Sequence, residues 1–145
     1  MQRQNGYEGH SGRYRGNPLI VADTNLIAAL AVKTDASASA FAVLTKDSEW
    51  MAPQIWESEF RNALIGMVRA GKIQMKTANA AFALASESVE TFEVSTGAVL
   101  RLAEAYGLSA YDAEFAALAE WLDCKIISFD EDLLKPGLAV HPKHF

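Results

Sequence analysis

Apolar and polar positions alternate between two periods along the chain, short apolar runs for strands and a 3.6-residue repeat for helices. Leu19–Ala22 is an apolar run ending on Asp23 and suits a buried parallel strand. Leu26–Val32 and Ala36–Lys46 predict helices, and Trp50–Ala52 predicts a short strand closed by Pro53. Gln54–Ala70 predicts a helix whose apolar face is Trp56, Phe60, Ala63, Leu64 and Met67, with Gly71 at its C′ position. Met75–Ser88 predicts another helix and Thr91–Val94 a strand. Thr96–Tyr106 predicts a helix stopped by Gly107, and Ala110–Leu122 one capped by Ser109. Ile126–Phe129 predicts a strand, Glu131–Leu134 a helical turn, and Leu138–Val140 a last edge strand. Strands alternating with helices predict an α/β fold, a central parallel sheet with helices on both faces.

Residues 1–18 interrupt the pattern. They hold four of the nine glycines and no apolar periodicity, which predicts a flexible N-terminal arm or remnant ahead of a domain at 19–145. Length suits one domain with a core of its own. The strongest apolar runs, Leu26–Val32 and residues 78–85, fall well short of the ~18 residues a spanning helix needs. No charged start followed by an apolar run and a cleavage site is present. The single cysteine, Cys124, excludes an internal disulfide framework and a multi-cysteine zinc site. These features predict a cytoplasmic protein without a membrane span.

Charge divides unevenly. The net charge is −5, the arm carries +2 through Arg3, Arg13 and Arg15 against Glu8, and the remainder therefore carries −7. A nucleic-acid binder usually shows a basic footprint, so an RNA substrate requires cations at the acidic groups, or phosphate contacts from the arm or a second subunit.

Ligands of open parallel sheets bind beyond the carboxyl ends of the strands. Asp23 and Asp130 both follow apolar strands directly, although an aspartate there also serves as a helix N-cap. Glu57 has Arg61 four residues on, which accounts for it as a solvated helix pair. Glu59 borders the packed face with no basic residue at the i±3 and i±4 positions, so its charge calls for another counter-ion. Ser109-Ala-Tyr-Asp112 fits a capping box. Four carboxylates brought close together are tolerated when a cation or shared protons offset the charge. Carboxylate oxygens without histidine or cysteine favour Mg²⁺ or Mn²⁺ over zinc.

At these residues the sequence resembles the PIN-domain family. Leu19-Ile-Val-Ala-Asp23-Thr-Asn25 is similar to its opening strand and first acid, and Glu59-Phe-Arg-Asn-Ala-Leu64 to the helix carrying the second. Leu108-Ser-Ala-Tyr-Asp112-Ala-Glu-Phe-Ala-Ala-Leu-Ala-Glu120 resembles the third motif. Lys125-Ile-Ile-Ser-Phe-Asp130 resembles the fourth, with Ser128 in place of the usual threonine. The resemblance runs from about Leu19 to Val140 and implies a PIN-like α/β/α sandwich. It implies Asp23, Glu59, Asp112 and Asp130 as catalytic metal-site acids, with Asn25 and Ser128 in support and Glu114 and Asp132 in reserve. It further implies a Mg²⁺-dependent endoribonuclease that hydrolyses RNA by metal-activated water. A homodimer and a cognate antitoxin, as in VapC-type toxins of toxin–antitoxin systems, complete the expectation.

Other chemistries fit less well. A haloacid-dehalogenase-type phosphatase requires an acid where Asn25 stands, and a receiver domain a lysine where Asp130 stands. No glycine-rich nucleotide loop is present, and His10, His141 and His144 lie in the tails, away from any two-histidine ribonuclease arrangement. Cys124, beside an apolar strand, suits a buried structural thiol. The rival reading is a non-catalytic module whose acidic crevice binds a basic partner peptide. Phe41, Leu44, Trp56 and Phe60 serve that reading as a seat for a partner helix, or else pack in the core.

Overall fold

The computed structural model describes residues 19–145; the predicted arm at 1–18 lies outside the described residues. In chain order the elements are β1 (Ile20–Ala22), α1 (Thr24–Ala31), α2 (Ser37–Lys46), β2 (Trp50–Pro53), α3 (Ile55–Arg69) and α4 (Met75–Ser88). They continue with β3 (Val89–Phe92), α5 (Thr96–Tyr106), α6 (Ala110–Leu122), β4 (Lys125–Ile127), α7 (Glu131–Leu134) and β5 (Ala139–Val140), before a 3₁₀ turn at Pro142–His144.

All five strands are parallel, in the order β3-β2-β1-β4-β5. The apolar run of β1 is explained by its central place, with Ile20, Val21 and Ala22 all buried. Because β4 pairs directly with β1, Ala22 against Ile127, the residues following the two strands leave the sheet side by side. Helix α6 lies across β1, β2 and β4 and packs on α5, while α1 contacts α2, α3 and α4. Two helical layers thus enclose the sheet, the α/β/α arrangement expected for a PIN-like fold. No helix among the described residues is long and apolar enough to cross a membrane.

Helix α3 follows its sequence pattern closely. Trp56, Phe60 and Leu64 are buried at successive i+4 positions. Trp56 donates its indole N–H to Thr91 Oγ1 at 2.9 Å, tying the helix to β3, and Phe82 of α4 stacks on both aromatic rings at 5.5 and 6.0 Å. Gly71 closes the helix with φ +74°, and Lys72 N–H reaches back to Met67 O at 2.9 Å, a bond that this left-handed turn permits. Trp56 and Phe60 are therefore core residues and offer no seat to a partner; Leu44 is half-buried, and Phe41 alone of the four is 54% exposed.

Several boundaries differ from the sequence pattern. Strand β3 begins at Val89, two residues before the expected start, because α4 runs straight into it with Val89 as its C-cap. Pairing with β2, Trp50 to Val89 through Pro53 to Phe92, sets that register. Pro53 continues β2 by one residue, and the neighbouring Gln54 N–H donates to Phe92 O at 2.9 Å. Strand β4 stops at Ile127, before Ser128 and Phe129, which the site uses. Arg61 lies over the Phe82 ring at 4.8 Å, and no Glu57–Arg61 ion pair forms among the described residues.

Candidate metal centre

Four acids from four elements face one cleft. Asp23 follows β1, Glu59 projects from the second turn of α3, Asp112 sits in the first turn of α6 and Asp130 precedes α7. The cleft has a volume of about 470 Å³, and Phe129, Asn25 and the small side chains of Ala28 and Ala63 line it as well. The parallel topology accounts for the convergence, since a parallel sheet gathers its strand ends, and the helices that follow them, at one edge.

Asp23 is held most tightly. It is buried, its Oδ1 accepts the Thr24 N–H at 2.8 Å, and its Oδ2 accepts the Ser128 hydroxyl. Ser128 Oγ in turn accepts the Asp130 N–H at 2.9 Å and an Asn25 Nδ2–H at 3.5 Å, so one hydroxyl joins the first and fourth motifs. Asn25 Oδ1 also accepts the Phe129 N–H at 3.3 Å. Thr24 donates its hydroxyl to Glu59 Oε1, linking the start of α1 to α3.

The capping functions and the site functions coincide. Asp23 and Asp130 are the N-caps of α1 and α7, and Asp130 Oδ1 receives the Asp132 N–H at 3.0 Å. Ser109 Oγ accepts the Asp112 N–H at 3.0 Å, as a capping box requires. The Asp112 carboxylate, however, offers an oxygen within 4.8 Å of oxygens from Asp130 and Asp132. Asp132, an acid held in reserve by the sequence, thus forms a group of three with Asp112 and Asp130, while Asp23 and Glu59 line the same cleft outside that group. Glu114 has a different place: its carboxylate lies by the backbone of Ile55 at the start of α3, which favours its charged form, and Gln54 supplies no side-chain cap there.

Electrostatics register the crowding. Burial raises the Asp23 pKa to about 7, against the lowering effect of the Ser128 and Thr24 hydrogen bonds, and Glu59 and Asp112 raise it further. Burial also raises Asp112 to about 6, with repulsion from Asp130, Glu59 and Asp132 added. Glu114 is raised by burial and by Glu59. Among the described residues, the side chains lining the cleft include no lysine, arginine or histidine to offset the acids. An all-carboxylate donor set of this kind fits a hard divalent cation. Cys124 plays no part; burial pushes its thiol up to about 12, which keeps it protonated and inert.

Thr24 is the functional side chain that the sequence reading passed over. Its signal was present, a hydroxyl placed between the first acid and Asn25 at a helix start, but its partner lies 35 residues away on another helix.

The PIN domain family profile matches residues 20–137. No curated protein sequence matches the chain at a significant level. Among solved structures, PAE2754 from Pyrobaculum aerophilum is 23% identical, with a TM-score of 0.70 over 88% of this chain and 85% of that one. A toxin-antitoxin complex from Klebsiella pneumoniae is 18% identical, with a TM-score of 0.63 over 87% and 99%. VapBC2 from Rickettsia felis, bound to a DNA fragment from its promoter, is 13% identical, with a TM-score of 0.59 over 85% and 96%. The structural likenesses carry the fold, the family profile spans the strands and helices that bear all four acids, and the chain accordingly belongs to the PIN-domain family.

Proposed function

We propose that the protein is a metal-dependent endoribonuclease, the VapC-type toxin of a toxin–antitoxin pair. The observation that carries this reading is the convergence of Asp23, Glu59, Asp112 and Asp130 on one cleft that no cation among the described residues lines, two of them pushed up to about 7 and about 6. The toxin–antitoxin complexes among the structural neighbours support the biological setting. Asp23, Glu59, Asp112 and Asp130 would hold the ion, Mg²⁺ first and Mn²⁺ as its substitute, with Asp132 close enough to Asp112 and Asp130 to share it. Such an ion lowers the pKa of water and stabilises charge at phosphorus in phosphodiester hydrolysis.

The chain's own residues prepare the site. Ser128 and the Thr24 N–H fix both oxygens of Asp23, and Thr24 Oγ1 fixes one oxygen of Glu59. Preorientation of this kind spares the acids rearrangement when a cation and a phosphodiester arrive. Asp23 and Asp112, raised to about 7 and about 6, would hold an ion only when deprotonated, which would couple occupancy to pH. The same acidic cleft suits an arginine from an antitoxin, and a second copy of the chain completes the proposed assembly.

The test is cleavage of a mixed RNA pool with Mg²⁺ or Mn²⁺, beside EDTA and Asp23→Asn controls. Metal-dependent cuts that vanish in the variant are expected. Full activity in Asp23→Asn would overturn the site. An absence of cleavage by folded, partner-free protein would favour the rival reading, a binding module, which the −7 charge of residues 18–145 supports.

A further inference from the structure

An RNA strand crossing this cleft meets carboxylates and needs its phosphates held elsewhere. Strand β5 lies beside β4 and ends at the same sheet edge as the acids, with Ser128 N–H donating to Val140 O at 3.1 Å. The residues after it are His141-Pro142-Lys143-His144. The His141 ring stands at 88° to the Phe129 ring, with centroids 5.2 Å apart, and Phe129 lines the cleft.

We propose that Phe129, His141 and Lys143 form an RNA-binding shoulder beside the acids, Phe129 stacking a base while His141 and Lys143 hold a neighbouring phosphate. This rests on the endoribonuclease reading and adds the place where a single strand lies. Phe129 is half-buried: it packs against the core and also lines the cleft, and a base stacks on the part of the ring that the cleft exposes. Asn25 Oδ1 holds the Phe129 N–H, so the residue that supports the acids also fixes the platform. His141 Nδ1 accepts the Lys143 N–H at 3.2 Å, which places the hydrogen of the neutral ring on Nε2 as a donor of fixed direction. Lys143 is exposed, and neither it nor His141 forms an ion pair among the described residues. His144, also exposed, has its ring centroid 6.3 Å from that of His141 and extends the basic rim.

The experiment measures anisotropy of a short fluorescent mixed-sequence single-stranded RNA with the Asp23→Asn chain across a salt series, and KM and kcat for cleavage in the active chain. His141→Asn keeps an acceptor for the Lys143 N–H and so preserves the turn, and Lys143→Ala removes only an exposed side chain. Each is expected to weaken RNA binding about five- to tenfold and to raise KM with kcat little changed. Lys143→Ala is expected to reduce the slope of log affinity against log salt by about 0.7, the value for one phosphate contact on a single strand. Phe129→Leu is expected to weaken binding about tenfold, as loss of one stacked base does. An active parent whose affinity, KM and salt slope survive all three substitutions overturns the shoulder alone. A parent that neither binds nor cuts RNA overturns the endoribonuclease reading and the shoulder with it.

Discussion

Ser128 donates its hydroxyl to Asp23 across 105 residues of sequence, and the same oxygen receives the Asp130 N–H. A fully buried hydroxyl with one donor and two acceptor positions is thereby used completely, since Asn25 fills the last. Ser128→Ala removes the donor to Asp23 and leaves the Asp130 N–H without that acceptor. RNA cleavage is expected to fall 10- to 100-fold, the usual effect of losing the group that orients a metal-binding side chain. Calorimetric titration with Mn²⁺ should show weaker binding in parallel. Undiminished cleavage with unchanged metal affinity would show that Asp23 orients without Ser128.

The raised pKa values of Asp23 and Asp112 make a prediction about stability without metal. Both carboxyls titrate near 3.9 in an unfolded chain, but at about 7 and about 6 when folded. Between these limits the folded state binds more protons than the unfolded state, so stability declines as pH rises. The contribution is complete below about pH 4 and is lost as pH passes through about 6 and then 7. In EDTA, the Tm is expected to fall by on the order of 5 °C between pH 5 and pH 8. Millimolar Mg²⁺ should reduce that fall, because the cation takes over from the protons. A Tm in EDTA that is flat or rising over this interval would contradict the assignment of an uncompensated acidic site.

Much of this arrangement is legible in the sequence for a definite reason. Asp23 and Asp130 each end an apolar run, and in a parallel sheet that alone places them at the ligand-binding edge. Their adjacency is not legible, because periodicity carries no strand order, and it is the β1–β4 pairing that brings them together. Strand β3 was displaced by two residues for a related reason. No glycine or proline occurs anywhere from Met75 to Phe92, so only pairing with β2 marks the change from helix to strand. Arg61 shows the limit of spacing rules: the i+4 relation to Glu57 is satisfied, yet the guanidinium lies on Phe82, a partner from another helix.

Glu57 and Glu59 lie on the same helix, two residues apart, and provide an internal control. Glu59 lines the cleft and accepts the Thr24 hydroxyl, whereas Glu57 is absent from the cleft lining. Glu59→Gln is expected to lower cleavage at least about 100-fold, and Glu57→Gln to leave it within about twofold, as surface substitutions usually do. Steady-state cleavage of one mapped RNA distinguishes them. A severe loss in Glu57→Gln with an active Glu59→Gln would mean that the wrong glutamate has been assigned to the centre.

Glu114 and Asp132 are both acids near the centre, but their surroundings predict opposite consequences. Glu114 lies by the backbone of half-buried Ile55, at a helix start where Gln54 supplies no side-chain cap. Glu114→Ala removes a carboxylate from the N-terminus of α3, a loss of about 0.5–1 kcal/mol, and the Tm should fall by about 2–4 °C. Mn²⁺ affinity should change by less than about threefold, since the charge removed is engaged in holding α3. Asp132 is exposed, its backbone N–H caps onto Asp130, and its carboxylate lies within ligand distance of Asp112 and Asp130. Asp132→Asn keeps the backbone bond and relieves repulsion on Asp112, so the metal-free Tm should hold or rise. Mn²⁺ affinity should drop about tenfold, on the scale of a lost contact to the ion. Thermal melts in EDTA beside Mn²⁺ titrations of both variants read the two effects separately. If Asp132→Asn lowers the metal-free Tm and spares Mn²⁺ affinity, Asp132 belongs to the fold and the centre is confined to the other four acids.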